Sequence, residues 1–153
     1  MKQINIISVG KLKNTHLQKI EKDFLKRCLT LKINIIETKA YADNLEKESA
    51  EVLKKIKDLS KDSTLYPIIL TEKGKLRNSV EFSSWLFKGL DRTNEKVTFI
   101  LSGAYGFSKQ LISLSRESIS LSPLTFPHEL ARVLLVEQIY RAITIEANHP
   151  YHK

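Results

Sequence analysis

The sequence predicts an α/β fold in which helices pack against a largely parallel sheet. Short apolar runs and amphipathic stretches alternate along the whole chain, as consecutive strand and helix units do. The first run, residues 3–9, ends at Gly10, and apolar residues then recur at helical spacing. The chain has 153 residues without a repeat or a linker-like segment, so residues 1–153 are expected to form one domain.

The helices can be placed by apolar spacing and by N-terminal caps. Residues 14–31 carry one apolar face, on which Cys28 is expected to be a core residue. The predicted caps are Asn14 for this helix, a capping box of Asp43 with Glu46 for the second, and one of Asn78 with Glu81 for the third. A short fourth helix is predicted from about Ser108 and a fifth at residues 128–146.

Further strands are predicted at residues 33–38, 66–70 and 97–101 and near Ile119, with a polar loop at residues 71–75. Ligands of parallel sheets bind beyond the carboxyl ends of the strands. The segments that follow Leu70, Leu101 and Leu121 are therefore the candidate ligand loops.

The predicted last helix is apolar around nearly its whole circumference. Such a helix must be buried on more than one side, which one sheet face does not provide in so small a domain. A homodimer interface is the interpretation that needs fewest assumptions. Two polar stripes remain: His128 with Arg132, and Glu137 with Arg141 and Thr144.

The chain is basic, with a formal charge of +8, and the excess is uneven. Residues 1–78 hold 17 Lys+Arg against 10 Asp+Glu, whereas residues 79–153 hold 8 against 7. A basic half suits a polyanionic partner such as RNA or the ribosome, and a solvated lysine-rich surface is the alternative.

Composition also disfavours several classes of protein. No apolar run approaches the ~20 residues that span a membrane, and the N-terminus lacks the cleavage site of a signal peptide. A single cysteine, Cys28, excludes an internal disulfide and fits a cytoplasmic location. Metal-ligand spacing is lacking, so no metal is expected.

Three segments carry chemistry-bearing residues. Residues 102–106 (SGAYG) are either a ligand loop, whose glycines admit close approach, or a plain turn. Residues 121–128 contain Pro123 and Pro127, and either wrap an adenine or form a rigid connector. The end of the chain, HPYHK, suits phosphate or base contacts, with a solvated tail as the alternative.

These segments, in this order, resemble the RlmH-type methyltransferases of the SPOUT superfamily. The matching stretches are FILSGAYGFS (99–108), SLSPLTFPHELARVLLVEQIYRA (120–142) and NHPYHK (148–153). The resemblance implies a SPOUT-type fold with a C-terminal trefoil knot, a homodimer and S-adenosylmethionine as cofactor. It implies methylation of N3 of a pseudouridine in 23S rRNA, in the hairpin loop at the subunit interface of the assembled 70S ribosome.

The resemblance also assigns residues to the site. Cofactor binding is expected from Leu70, Gly103, Leu121, Ser122, Pro123, Leu124, Thr125 and Phe126. Substrate binding is expected from Arg132, His149, Tyr151, His152 and Lys153. Most members have glycine where this chain has Ser102, and many have arginine where it has Lys153.

Two residues are the candidates for catalysis. The neutral imidazole of His128 could take the N3 proton, and Arg141 could stabilise the anion that develops on the uracil ring. Two other functions remain open: a SPOUT enzyme that acts on tRNA, and a ribosome-associated protein without catalysis.

Overall fold

The computed structural model describes residues 1–92 and 94–153, over which strands and helices alternate. The elements are β1 (Lys2–Val9), α1 (Thr15–Arg27), β2 (Leu31–Thr38), α2 (Leu45–Leu59), β3 (Thr64–Leu76), α3 (Ser79–Leu90), β4 (Glu95–Leu101), α4 (Lys109–Leu114), β5 (Glu117–Ser120) and α5 (His128–Glu146). The strands form one sheet in the order β2–β1–β4–β3–β5, and neighbouring strands are parallel. The predicted α/β fold is confirmed.

Helices cover both faces of the sheet. Successive residues of a strand point to opposite sides, so each central strand must be apolar on both. Ile6 and Phe99 face a core shared with α1, α3 and α5, whereas Ile7 and Ile100 face a core shared with α2 and α4. Because the strands are parallel, the loops that leave β1, β2, β3, β4 and β5 all lie at one edge, the carboxyl edge.

Two of the three predicted N-terminal caps are confirmed. The Asn14 side chain accepts hydrogen bonds from the backbone N–H groups of His16 and Leu17, at 3.0 and 3.1 Å. Asn78 and Glu81 form a reciprocal capping box at the start of α3. These short polar contacts satisfy N–H groups that the helix itself leaves unpaired.

The capping box predicted for Asp43 and Glu46 is wrong. Asn44 caps α2 instead, because its side chain accepts a 3.0 Å hydrogen bond from the backbone N–H of Lys47. Asp43 has φ +65°, outside the range of an N-cap residue, and its carboxylate accepts a hydrogen bond from the hydroxyl of Tyr105. Sequence spacing alone does not separate two adjacent capping residues.

The polar loop predicted at residues 71–75 is an irregular part of a longer β3. Pairing between β3 and β5 breaks after Leu70 and resumes at Lys75, which again faces Ile119. A Cβ on Gly74 would lie 2.6 Å from both the backbone nitrogen and the backbone oxygen of Ile119. Only glycine lets the two strands come this close, so the pairing resumes there.

Most of the apolar circumference of α5 is covered within the protomer. The helix contacts α1 on one side and α3 on the other and rests on the sheet. Its fully buried apolar residues are Val133, Leu135, Val136, Ile139 and Ala142. Leu130, Leu134 and Ile145 are only half-buried. Most of the apolar surface of α5 thus has partners within the protomer, and the homodimer stays a prediction.

Three further observations concern the sequence predictions. Cys28 lies in the core, where burial raises the pKa of its thiol to about 11. None of the helices in residues 1–92 and 94–153 is both long and apolar enough to cross a membrane. The trefoil knot stays a prediction, because strand order and pairing do not report how the chain is threaded.

We expect Gly74→Ala to destabilise the protein by about 1–3 kcal/mol, because the added methyl group overlaps the backbone of β5. Thermal unfolding measures this loss. Gly89→Ala is the matched control: its Cβ would meet Val97 at an ordinary 3.4 Å, and alanine favours the helical conformation. Equal melting temperatures for the two variants would contradict the close approach at Gly74.

Candidate cofactor cavity and C-terminal cluster

A cavity of about 510 Å³ opens at the carboxyl edge of β3, β4 and β5. Its walls come from the three segments that follow these strands. The lining residues are Leu70, Thr71, Glu72, Leu101, Ser102, Gly103, Ala104, Tyr105, Gly106, Leu121, Ser122, Leu124, Thr125, Phe126, Pro127, His128 and Ala131. Its volume suits a ligand of the size of a nucleoside derivative.

The cavity brings together nearly all the residues predicted to bind the cofactor. Leu70, Gly103 and five of the six residues from Leu121 to Phe126 line it, as does His128. Pro123 is exposed and does not line it. Thr71 and Glu72 also line the cavity, although they were not among the predicted cofactor residues. They lie within β3 where its pairing with β5 is broken, in the segment after Leu70 that was predicted to be a ligand loop.

The glycine loop after β4 is a tight turn held against the core. Gly103 and Gly106 form an isolated antiparallel bridge, and Gly106 has φ +78°, which favours glycine. A Cβ on Gly103 would lie 3.2 Å from Cγ1 of Val9 and 3.4 Å from Oε1 of Glu48. The absence of a side chain at Gly103 therefore lets the loop lie close to the end of β1 and to α2.

The segment between β5 and α5 is held by short polar contacts. The Ser120 hydroxyl donates to the backbone oxygen of Ser122 at 2.8 Å, and the Ser122 hydroxyl accepts from the backbone N–H of Leu124 at 3.0 Å. Pro127 then precedes α5 without a side-chain cap. These turns direct residues 121–127 along the wall of the cavity.

The cavity differs in charge from the rest of this basic chain. Glu72 is among the described residues that line the cavity, and no lysine or arginine is. Tyr105 also lines it and donates a 3.0 Å hydrogen bond to Asp43, which raises the pKa of the phenol. Glu48, 4% exposed, lies behind Gly103. These surroundings favour a cationic or neutral ligand over an anionic one.

The end of the chain folds back onto α5. Asn148 has φ +53°, and the backbone N–H of His149 donates to the oxygen of Thr144 at 2.8 Å, while that of Asn148 donates to Ile145 at 3.1 Å. This pair of bonds is a Schellman motif, in which asparagine is a common alternative to glycine. The motif reverses the chain, so the last residues return along the helix.

The returning residues form a cluster with the polar stripe of α5. Arg141 is bonded to Glu137 at 2.6 Å and to Nδ1 of His152 at 3.1 Å. Tyr151 donates to Glu137 at 3.1 Å and packs edge-on against Tyr140. The bonds to Glu137 raise the pKa of Arg141, and burial followed by the bond to Glu137 raises the pKa of Tyr151. Both side chains therefore keep their protons at neutral pH.

This C-terminal cluster (Glu137, Arg141, Tyr151 and His152) lies far from the cavity within one protomer. His128 lies at the cavity, and Arg141 is thirteen positions further along α5. At 1.5 Å per residue the two positions are about 20 Å apart along the helix. One protomer therefore does not bring together the two predicted catalytic residues. His149 and Lys153 are exposed.

Arg132 has a different place from the one expected of a substrate-binding residue. Its side chain is 6% exposed and forms a two-pronged ion pair with Glu21, at 2.7 and 2.8 Å. Glu37 lies 3.5 Å away on its other side. The guanidinium thus joins α5 to α1 and to the end of β2, and it does not line the cavity.

Residues 1–92 and 94–153 contain no group of three His, Cys, Asp or Glu side chains that could hold a metal ion. The described residues that line the cavity offer backbone groups, hydroxyls, one carboxylate and one imidazole. Sequence reasoning considered His128, His149 and His152 together, but the fold separates His128 from the other two.

Solved structures place this fold among α/β methyltransferases. The SpoU methyltransferase AviRb of Streptomyces viridochromogenes, solved with AdoMet, superposes with a TM-score of 0.53 at 10% identity, covering 97% of this chain and 59% of that one. A probable methyltransferase of Bordetella pertussis superposes with a TM-score of 0.56 at 13% identity, covering 93% and 94%. At such identities the likeness concerns the fold alone.

The family follows from the sequence. Residues 1–152 match the family model described as "Predicted SPOUT methyltransferase", and the chain belongs to the SPOUT methyltransferases. A relative named "Ribosomal RNA large subunit methyltransferase H", from Acholeplasma laidlawii, is 39% identical over 99% of each chain. Relatives of the same name from Clostridium botulinum and Bacillus cereus are 38% and 37% identical, each covering 98% of this chain and 99% of the relative.

We expect Arg132→Met to destabilise the protein by about 3–5 kcal/mol, because it leaves the Glu21 carboxylate buried without its partner. Urea unfolding measures the loss, and the double variant Glu21→Met/Arg132→Met should recover most of it. Lys61→Met, which breaks an exposed pair with Asp58, is the control and should cost less than about 1 kcal/mol. If Arg132→Met leaves stability unchanged but weakens binding to the ribosome, Arg132 contacts the substrate as the sequence predicted.

Proposed function

We propose that this protein transfers a methyl group from S-adenosylmethionine to N3 of a pseudouridine in 23S rRNA, on the assembled 70S ribosome. Relatives 36–39% identical along nearly their whole length carry a name that specifies large-subunit rRNA methylation. The observation that carries the proposal is the cavity at the carboxyl edge, where the residues expected to bind the cofactor converge without a lysine or arginine among the described lining residues. A ribosomal substrate places the enzyme in the cytoplasm.

The cavity residues fit the parts of S-adenosylmethionine. Leu121, Leu124 and Phe126 offer apolar surfaces for a flat adenine ring, and the backbone between them offers hydrogen-bonding groups to its edge. Glu72 and the buried Glu48 give the region a negative character that suits a sulfonium. When bound, the cofactor supplies an already activated methyl group, so the protein has to align the acceptor and remove one proton.

His128 and Arg141 are proposed to manage that proton and the resulting charge. His128 is exposed at the mouth of the cavity, where its imidazole can take the N3 proton of the target base. Arg141 keeps its proton and stands in the C-terminal cluster with Tyr151 and His152, which can hold the anionic uracil ring.

The separation of these residues favours a homodimer whose site is shared. The cavity of one protomer holds His128, and the C-terminal cluster about 20 Å along α5 holds Arg141. A second copy related by twofold symmetry can present its C-terminal cluster to the cavity of the first copy. The cluster of the first copy then meets the cavity of the second in the same way. We therefore propose that each active site combines the cavity of one protomer with the cluster of its partner.

The basic N-terminal half is proposed to bind rRNA phosphates. Exposed lysines lie along α1 and α2. Lys39, in the loop after β2, and Lys47, in α2, lie over the ring of Tyr41 at 5.1 and 5.7 Å. The backbone N–H of Tyr41 donates a hydrogen bond to the side-chain carboxylate of Glu48, which lies behind Gly103. The two lysines over Tyr41 are therefore near the glycine loop. Cations here can bind the RNA backbone without entering the cofactor cavity.

The direct test is transfer of a tritiated methyl group from S-adenosylmethionine to purified ribosomes that lack the modification. We expect label in 23S rRNA of 70S particles, and mass spectrometry should identify N3-methylpseudouridine. Bulk tRNA and a free hairpin oligonucleotide are the comparison substrates. Preferential labelling of tRNA would assign a tRNA substrate, and failure to bind S-adenosylmethionine in calorimetry would refute the enzyme altogether.

A shared site can be tested by complementation. His128→Ala and Arg141→Ala should each inactivate the homodimer, because each removes one component from both sites. A heterodimer of the two variants, purified with two different tags, contains one intact site and should recover about half of the wild-type activity. If each protomer carried a whole site, the heterodimer would be as inactive as its parents.

A further inference from the structure

The fold buries a carboxylate beside the glycine loop with one oxygen unpaired. Glu48, on α2, is 4% exposed. Its Oε2 accepts a 2.8 Å hydrogen bond from the backbone N–H of Tyr41, while its Oε1 has no hydrogen-bond partner among the described residues. A carboxylate with an unsatisfied oxygen is costly to bury, so its retention at this place calls for a reason.

The position of Glu48 relative to the cavity supplies that reason. A Cβ on Gly103 would lie 3.4 and 3.5 Å from the two carboxylate oxygens of Glu48, so the Glu48 carboxylate lies directly behind Gly103, a residue of the cavity wall. The other acidic groups nearby are Glu72 in the wall and Asp43, which is bonded to Tyr105. The nearby cations, Lys39 and Lys47, are exposed and lie over the ring of Tyr41, and no lysine or arginine is among the described residues that line the cavity. The charged groups closest to its lining are therefore acidic.

We infer that Glu48 is a specificity-determining residue that favours the positively charged methyl donor over its neutral product. This inference rests on the proposed function. S-adenosylmethionine and S-adenosylhomocysteine share the adenosine, the ammonium and the carboxylate, and they differ by one methyl group and one positive charge at sulfur. A fixed, poorly solvated negative charge behind Gly103 attracts the sulfonium and has no such attraction for the thioether, so the product leaves more readily.

Glu48→Gln is the discriminating substitution, because glutamine keeps the size of the side chain and an oxygen for the Tyr41 N–H but removes the charge. Calorimetry gives the dissociation constants of S-adenosylmethionine and S-adenosylhomocysteine for both proteins. We expect the variant to bind S-adenosylmethionine roughly tenfold more weakly and S-adenosylhomocysteine within about twofold of wild type. Selectivity for the charged ligand then falls.

Glu46→Gln is the matched control, since it removes the same charge from the same turn of α2 at an exposed position and should leave both constants unchanged. Equal weakening of both ligands by Glu48→Gln would show that Glu48 only supports the loop or contacts a shared group, and would overturn the inference. Unchanged binding of both would overturn it too. If the unaltered protein binds neither ligand, the proposed function itself fails.

If the Glu48→Gln variant does not fold, the inference can be tested on the unaltered protein. An analogue with an ammonium in place of the sulfonium carries its charge at the same point of the ligand. The unaltered protein should bind this analogue and S-adenosylmethionine more tightly than S-adenosylhomocysteine. Equal affinity for charged and neutral ligands would contradict the inference.

Discussion

The approach of two backbones at Gly74 and Ile119 determines how the cavity is built. Pairing between β3 and β5 breaks after Leu70 and resumes only because Gly74 has no side chain to separate the strands. The residues set free by the break, Thr71 and Glu72, form part of the cavity wall. The irregular pairing on either side of this close contact therefore shapes part of the site.

Charge is divided between two surfaces of a strongly basic protein. The lysines of α1 and α2 are exposed and free to bind a polyanion, whereas the described residues around the cavity include acids but no lysine or arginine. In the proposed function, this division separates the surface that binds RNA phosphates from the cavity that binds a cationic cofactor. The charge of Arg132 belongs to neither surface, because Arg132 is buried in an ion pair with Glu21.

Apolar periodicity and the alternation of strands and helices along the chain were enough to predict the α/β fold, the bounds of α5 and the edge at which the ligand loops meet. They were not enough where the outcome depends on contacts between distant residues. The break in β3 depends on the backbone of Ile119, and the burial of Arg132 depends on Glu21, 111 residues earlier in the chain. Seven of the eight predicted cofactor residues line the cavity, because loops that follow parallel strands must meet, whereas local turn geometry turns Pro123 outward.

The length of α5 is the remaining constraint on how the enzyme can work. The helix is rigid along the about 20 Å between His128 and Arg141, and it is fixed between α1 and α3, so no bending within the protomer can join the two residues. The Schellman motif then folds Tyr151 and His152 back onto Arg141. In the proposed shared site, this cluster meets the cavity of another copy of the chain, and a twofold axis completes both sites at once. The case for a dimer thus rests on the distance between functional groups and not on the apolar surface of the helix.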